Sequence, residues 1–194
     1  MPKVFAEYKE LAKKKIIDAA MQIFSEKGYT KTTMKAIGKK LGTSKGALYL
    51  YFPSKYELFK AIIEKWQVTL NEIIVASLKN KKIIEGLEDL FNRALSDPQN
   101  NFKLSFELIS ESSHDPIIRE IIKENYDKNI DTLSDFLEKM KSEGNFGEDI
   151  KTHSHSMSII ALLIGLIGSL ILGVEKPKVQ KTWINSIKLL LRKT

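Results

Sequence analysis

The chain has 194 residues, 43% of them hydrophobic and none of them Cys; that is enough to bury an apolar core, and it excludes a disulfide scaffold, thiolate catalysis, Cys-based zinc ligation and thioredoxin-type redox chemistry. Its 31 Lys and Arg against 24 Asp and Glu leave a net charge of +7, so an anionic partner is the first class to consider. The excess is uneven, because residues 1–65 hold 14 Lys and 6 carboxylates for a net of +8 while the other 129 residues come to −1, which predicts one basic and one near-neutral part.

Met1 to Tyr8 is short, mixed in polarity and without an apolar run, so no secretory signal is expected and the expected compartment is the cytoplasm. From there apolar residues recur at three and four along the whole chain, the period of a helix, with no sustained alternation. The expected fold is all-α, with about nine helices. Ala12, Ile16, Ala19, Ala20, Ile23 and Phe24 make the inner face of a first helix, which Gly28 closes in a left-handed turn. A short second helix spans Met34 to Leu41, with Thr33 as its cap, Met34, Ile37 and Leu41 inward, and Gly42 at its end. Ser44 caps a third, running through Ala47 and Leu48 to Tyr51 before Pro53 stops it.

Ser54 opens a long fourth helix with Phe59, Ile62, Ile63, Trp66, Leu70, Ile73 and Ile74 as its stripe. Ile83, Leu87, Leu90, Phe91 and Ala94 give a fifth, and Phe102, Phe106 and Ile109 a sixth. Ser96-Asp97-Pro98 and His114-Asp115-Pro116 separate these elements as breakers, with Asp115 or Ser113 as a helix cap. A long seventh helix carries Ile118, Ile122, Tyr126, Ile130, Leu133, Leu137 and Met140 and stops around Gly144 to Gly147. A nearly uncharged eighth follows, then an amphipathic ninth with Val179, Trp183, Ile187, Leu190 and Leu191.

Two short helices joined at Gly42 outline a helix-turn-helix over about 33–52. A helix fits the major groove of B-DNA with its first turn facing base edges, and here that turn is Ser44-Lys45-Gly46-Ala47. Lys45 is long enough to donate to guanine, Gly46 lets backbone approach closely, and Ala47 offers a methyl to thymine. Tyr49 and Tyr51 bring hydroxyls, and Lys55 sits in the first turn of the next helix, where backbone N–H groups also favour phosphate. Lys13, Lys14 and Lys15 read as a solvated helix face. The positive excess on the same 65 residues supports a DNA reading, because phosphate neutralisation supplies most non-specific affinity.

The run from Thr33 to Leu58, TMKAIGKKLGTSKGALYLYFPSKYEL, resembles the DNA-binding signature of the TetR family of transcriptional repressors. Thr33, Ile37, Gly42, Ser44, Gly46, Tyr49, Tyr51, Phe52, Ser54, Lys55 and Leu58 carry the match. Gly38 and Leu41 stand where the family usually has Ala, and Thr43 where it usually has Val; the first two read as compensating side chains on neighbouring turns. The resemblance implies that Thr33, Tyr49, Tyr51 and Lys55 hold phosphates and that Lys45, Gly46 and Ala47 meet bases, with Thr43 and Ser44 completing the DNA-facing set. It also implies a DNA-binding domain over 1–53 and a ligand-binding and dimerisation domain over 54–194.

Residues 157–174 are 18 consecutive residues without a charge, the lower limit for a membrane span, so a membrane-anchored regulator is one reading. The absence of flanking aromatic belts and the amphipathic helix that follows favour burial against a second copy of the chain instead. By the resemblance the last two helices form a four-helix bundle with those of a partner, and Leu162, Gly165, Ser169, Gly173, Trp183 and Ile187 are the expected seam of a homodimer. A two-fold dimer must set its reading helices about 34–36 Å apart, which predicts a palindromic operator on double-stranded DNA. In the family a small molecule among the middle helices alters that spacing through the fourth helix. The pocket expected here is apolar, with Trp66, Leu70, Phe91, Phe106, Ile109, Tyr126, Ile130 and Met157, and few buried polar groups are expected in it; a hydrophobic effector of fatty-acyl type fits it better than a sugar does.

No catalytic constellation is expected: the chain has no nucleophile elbow, P-loop or dinucleotide fingerprint. His153 and His155 point some 200° apart on a helix, so neither a metal nor another cofactor is expected. A non-specific nucleoid-type DNA binder is the remaining alternative, and it leaves the large neutral body without a role.

Overall fold

The computed structural model describes residues 3–78, 82–96, 102–145, 147 and 149–192. Among the described residues there are nine α-helices and no strand, namely α1 (Lys3–Lys27), α2 (Met34–Leu41), α3 (Lys45–Tyr49), α4 (Lys55–Leu78), α5 (Ile83–Ser96), α6 (Phe102–Glu111), α7 (Pro116–Ser142), α8 (Thr152–Ile171) and α9 (Lys176–Leu190). The all-α expectation holds. Asp97 and Pro98, expected as breakers, lie outside the described residues.

Side-chain caps start α2, α3, α4 and α7 where the sequence places them. Thr33 and Ser44 accept from the backbone N–H groups of Ala36 and Ala47 at 3.2 and 3.1 Å, and Ser54 accepts from Glu57 at 3.0 Å. Asp115 Oδ1 takes the N–H groups of Ile117 and Ile118 at 2.9 and 3.2 Å, so it caps α7. Each such cap is worth about 1 kcal/mol. α3 is shorter than expected, ending at Tyr49 with Leu50 as its C-cap.

Packing divides the chain into two compact units, Met1–Trp66 with Lys103–Ile122, and Gln67–Phe102 with Lys123–Thr194. The expected boundary after residue 53 lies inside the first compact unit, which also takes in the first half of α4 and most of α6. The first unit is built on Ile16, Phe24, Ile37, Leu48, Leu58, Phe59, Ile62, Leu104, Leu108 and Ile118. The inner face of α6 differs from the expected one. Leu104 and Leu108 are buried whereas Ile109 is 43% exposed, because α6 carries two apolar stripes, 102/106/109 and 104/108, and periodicity does not choose between them.

The second unit gathers α5, α8, α9 and the later halves of α4 and α7 around Leu87, Phe91, Leu137, Ile159, Trp183 and Ile187. Phe91 and Trp183 stack at 5.0 Å between ring centroids, and Trp183 Nε1 donates to the carbonyl of Leu87 at 3.0 Å. This unit also contains polar side chains that the expectation of an apolar interior missed. Gln67 donates to Asn129 (3.0 Å), Asn129 to Asn125 (3.4 Å) and Asn125 back to Gln67 (2.6 Å), closing a three-amide ring between α4 and α7.

Candidate nucleic-acid interface

The turn between α2 and α3 is closed by backbone. Gly42 adopts φ 67° at the end of α2, and the N–H of Thr43 donates to Gly38 O at 2.9 Å. A Cβ on Gly38 would lie 2.9 Å from Thr43 O, so the glycine that departs from the family pattern is what lets the turn fold back onto α2. The buried side chains of Met34, Ile37 and Leu48 then hold the helix pair on the first unit's core, and the opposite side stays open.

That open side is a recess of about 590 Å³ lined by Thr33, Lys35, Ala36, Lys39, Thr43, Ser44 and Lys45. Its three ammonium groups belong to exposed lysines, and among the described residues none of them has a carboxylate within ion-pair distance. Lys40, outside the recess, is paired with Glu26 at 3.3 Å. A concave wall bearing three uncompensated cations and no carboxylate attracts a polyanion. Gly46 is exposed, and a Cβ there would meet only Ser44 Oγ, at 3.8 Å, so its Cα is open to close approach. Lys45 Nζ stands 5.3 Å from the centre of the Tyr49 ring, free to swing to a base edge.

The structure therefore brings Thr33, Thr43, Ser44 and Lys45 to one recess, with Gly46 and Ala47 in the same first turn of α3. Tyr49 is 38% exposed; Tyr51 packs against the first unit's core. Lys55 is engaged elsewhere. Its ammonium donates to the carbonyls of Tyr29 and Thr32 at 2.7 and 3.0 Å and lies 3.9 Å from the centre of the Tyr29 ring. Burial lowers its pKa below the ordinary lysine value, against the opposing pull of Glu107 and Glu111. Lys35, Ala36 and Lys39 were missed; the signal available was the i, i+4 spacing of the two lysines on the exposed face of α2. Leu50 was missed as well, an apolar side chain 80% exposed at the end of α3.

The expected pocket residues fall in both units. Trp66, Phe106 and Ile109 belong to the first, while Leu70, Phe91, Tyr126, Ile130 and Met157 belong to the second. Phe91 and Ile130 are fully covered, and Met157 is 49% exposed. Phe91 and Trp183 border a second cleft of about 320 Å³ between α5 and α9. Of the expected seam, Trp183 and Ile187 are spent in their own unit's core at 1% exposure each, so a seam with another copy has to rest on other residues. Gly173 lies beyond α8, where its φ of 90° turns the chain. Gly165 is exposed with open space above it, Ser169 Oγ donates to Gly165 O, and Leu162 is half-buried. Among the described residues no group of three or more His, Asp or Glu is placed to hold a metal ion.

Residues 16–62 match the family model described as bacterial regulatory proteins, tetR family. The chain is 28% identical over 156 residues to the HTH-type transcriptional regulator YfiR of Bacillus subtilis, covering 75% of this chain and 73% of that one. It is 26% identical over 160 residues to the HTH-type transcriptional regulator UidR of Escherichia coli, 80% of each. Its similarity to the nucleoid occlusion factor SlmA of Glaesserella parasuis, 36% over 77 residues, covers only 40% of this chain and 38% of that protein. Among solved structures, Salmonella enterica GusR superposes with a TM-score of 0.82 over 93% of this chain and 95% of that one, at 24% identity. The fatty acid degradation regulator FadR from Bacillus halodurans does so with a TM-score of 0.73 over 94% and 97%, at 22% identity. At those identities the superpositions speak for a shared all-helical fold.

Proposed function

We propose that the chain is a helix-turn-helix transcriptional regulator of the TetR type, as the family match over residues 16–62 supports, and that it is a cytoplasmic repressor that binds a palindromic operator as a homodimer and is released by a small hydrophobic effector. The observation that carries the DNA reading is the recess beside the first turn of α3, where Lys35, Lys39 and Lys45 stand without carboxylate partners. Phosphates neutralised there provide affinity for any duplex, and Lys45, Gly46 and Ala47 provide the preference for one.

The homodimer is supported by α8. Its most apolar window has a mean hydropathy of 1.9 yet is only 17% buried, and Met157 and Leu172 are 49% and 86% exposed. By length and composition this helix is also long and apolar enough to cross a membrane. A chain whose basic module must meet a duplex symmetrically has a use for that face in pairing. An effector that prefers the spacing unable to bind DNA lowers operator affinity by its differential affinity for the two spacings. Long-chain compounds of the fatty-acyl type are the class we assign, from the apolar character of Leu70 and Tyr126, both half-buried on the middle helices.

Three measurements on the full chain test the reading. Binding to a palindrome selected from random sequence is compared with binding to unselected duplex at the same salt, and the expected ratio is about 10³ or more. Equal affinities support the nucleoid-type alternative. Sedimentation at micromolar concentration is expected to give a dimer; a folded monomer that floats with liposomes supports the membrane-anchored reading. A saturated long-chain fatty acid is expected to weaken operator binding, and no effect across chain lengths removes the effector class.

A further inference from the structure

α6 and the start of α7 carry three carboxylates toward the DNA-contacting module. Glu107 Oε1 accepts the backbone N–H of Thr30 at 3.2 Å, and Asp115 Oδ2 accepts the hydroxyl of Tyr56 at 2.7 Å. The charges of Glu107 and Glu111 both act on the Lys55 ammonium. Since Lys55 holds the carbonyls of Tyr29 and Thr32, the loop from α1 to α2 is gripped by its donors from α6 and by its acceptors from α4.

By itself Glu107 is badly placed. The loop begins where α1 ends, with the N–H of Gly28 on Phe24 O at 2.8 Å, and a carboxylate at a helix C-terminus opposes the macrodipole. It also lies directly against the Cα of Gly28, since a Cβ there would sit 2.5 Å from Oε2 and 2.6 Å from Oε1. Gly28 is required by its φ of 80°, and its missing side chain leaves the carboxylate in place where a Cβ would make it swing aside. A leucine at 107 would cover the loop without any of this. What a carboxylate adds is direction, because a hydrogen bond to one N–H is satisfied at one position only, whereas apolar contact tolerates sliding. Three residues after Thr30, Thr33 caps α2, so the position of this loop sets where the helix-turn-helix begins.

We propose that Glu107 is a positioning residue for DNA recognition, fixing the helix-turn-helix to α6 through the N–H of Thr30 and the Cα of Gly28. The proposal rests on the reading above, in which the placement of the reading helices decides affinity, and it makes α6 a second route, beside α4, by which that placement is set.

Wild-type protein, E107Q and E107A are compared in two measurements. Amide hydrogen exchange needs no DNA: in E107A the Thr30 amide is expected to exchange about tenfold faster, with the core amides of α1 unchanged, as befits loss of a hydrogen bond to a charged group. E107Q keeps one oxygen acceptor in the same shape and is expected to recover most of the protection; should E107A fail to fold, a two- to threefold acceleration at Thr30 in E107Q against wild type takes its place. The second measurement is competition between two palindromes whose half-sites differ in separation by one base pair. E107A is expected to lose about fivefold of wild-type discrimination while its affinity for random duplex stays the same, a change that general loosening of the fold would not confine to spacing. Unchanged exchange at Thr30, or faster exchange with full spacing discrimination, overturns the proposal. Failure of the wild type to prefer any palindrome overturns the function proposed above instead, and the exchange measurement still decides whether Glu107 holds the loop.

Discussion

Changing Lys45 and Lys55 separately to Ala separates two lysines that the sequence motif places together at the DNA. Lys45 is exposed, its ammonium lies over the Tyr49 ring, and it has no ion-pair partner among the described residues, so its loss is expected to change stability by no more than about 0.5 kcal/mol. Its cost falls on recognition, about 1–3 kcal/mol of discrimination at one base pair per half-site, or about five- to 150-fold. Lys55 makes two hydrogen bonds from a charged donor, at 2.7 and 3.0 Å, and one close ring contact. Bonds of that kind are each worth about 1.5–3 kcal/mol, but the ammonium is partly desolvated, which offsets a share of the gain. A net loss of about 2–3 kcal/mol is expected, lowering Tm by about 4–12 °C for a chain of this size. The assay is thermal unfolding by circular dichroism together with duplex binding over a range of salt. An anchor on phosphate would reduce the slope of log K against log salt by about 0.9, whereas a lysine held by backbone carbonyls leaves the slope unchanged. K55A with wild-type Tm and a slope reduced by one phosphate would refute the structural assignment and restore the role implied by the motif.

Tyr29 predicts an alkaline limit to stability. Burial, then the negative charge of ionised Tyr56, Asp115 and Glu111, pushes its phenol well above the ordinary value, so above about pH 10 the unfolded chain releases a proton that the folded chain retains. The stabilisation is complete below that pH and falls above it, by at most about 1.4 kcal/mol per pH unit; urea unfolding at pH 9 and pH 11 is expected to show a smaller loss in Y29F, and equal losses would count against it. Leu104→Ala is expected to cost about 2–5 kcal/mol, whereas Ile109→Ala stays within about 0.5 kcal/mol; chemical denaturation of the two variants checks which stripe of α6 faces inward, and the opposite order would reverse it. Met157→Glu, on the exposed face of α8, is expected to leave helicity intact and shift sedimentation toward monomer, while an unchanged dimer would move the seam elsewhere.

What could be read along the chain is what depends on near neighbours. The starts of α2, α3 and α4 follow from Thr33, Ser44 and Ser54, each a short hydroxyl three residues before the N–H it caps, and the end of α2 follows from Gly42. Spacing of this kind is local physics, and the helix-turn-helix consists of little else, so Thr33, Thr43, Ser44 and Lys45 of its recess could be named before any coordinates. The faces of the longer helices were legible where one stripe is apolar, as in α5, and illegible in α6, where two are.

The other site residues have contacts that the sequence could not show, because the partner is remote. Lys55 reads as a phosphate anchor until the carbonyl of Tyr29 is known to meet it from 26 positions away. Trp183 reads as an interface aromatic until the carbonyl of Leu87, 96 positions distant, accepts from its indole. Gln67, Asn125 and Asn129 read as scattered amides on two helices, since nothing in their spacing shows that α4 and α7 bring them into one ring. Glu107 is the sharpest case, a single carboxylate on a half-buried helix whose consequence comes from an N–H 77 positions away and from the missing side chain of Gly28. A pattern search scores that glycine as a helix terminator and is correct, and the same absent Cβ leaves room for the carboxylate, so one residue serves a local turn and a long-range contact at once. Substituting Ala at 28 would therefore disturb the end of α1 and the seat of Glu107 together, whereas substituting at 107 alone leaves the α1 turn intact, and for that reason the test of the clasp is made at Glu107.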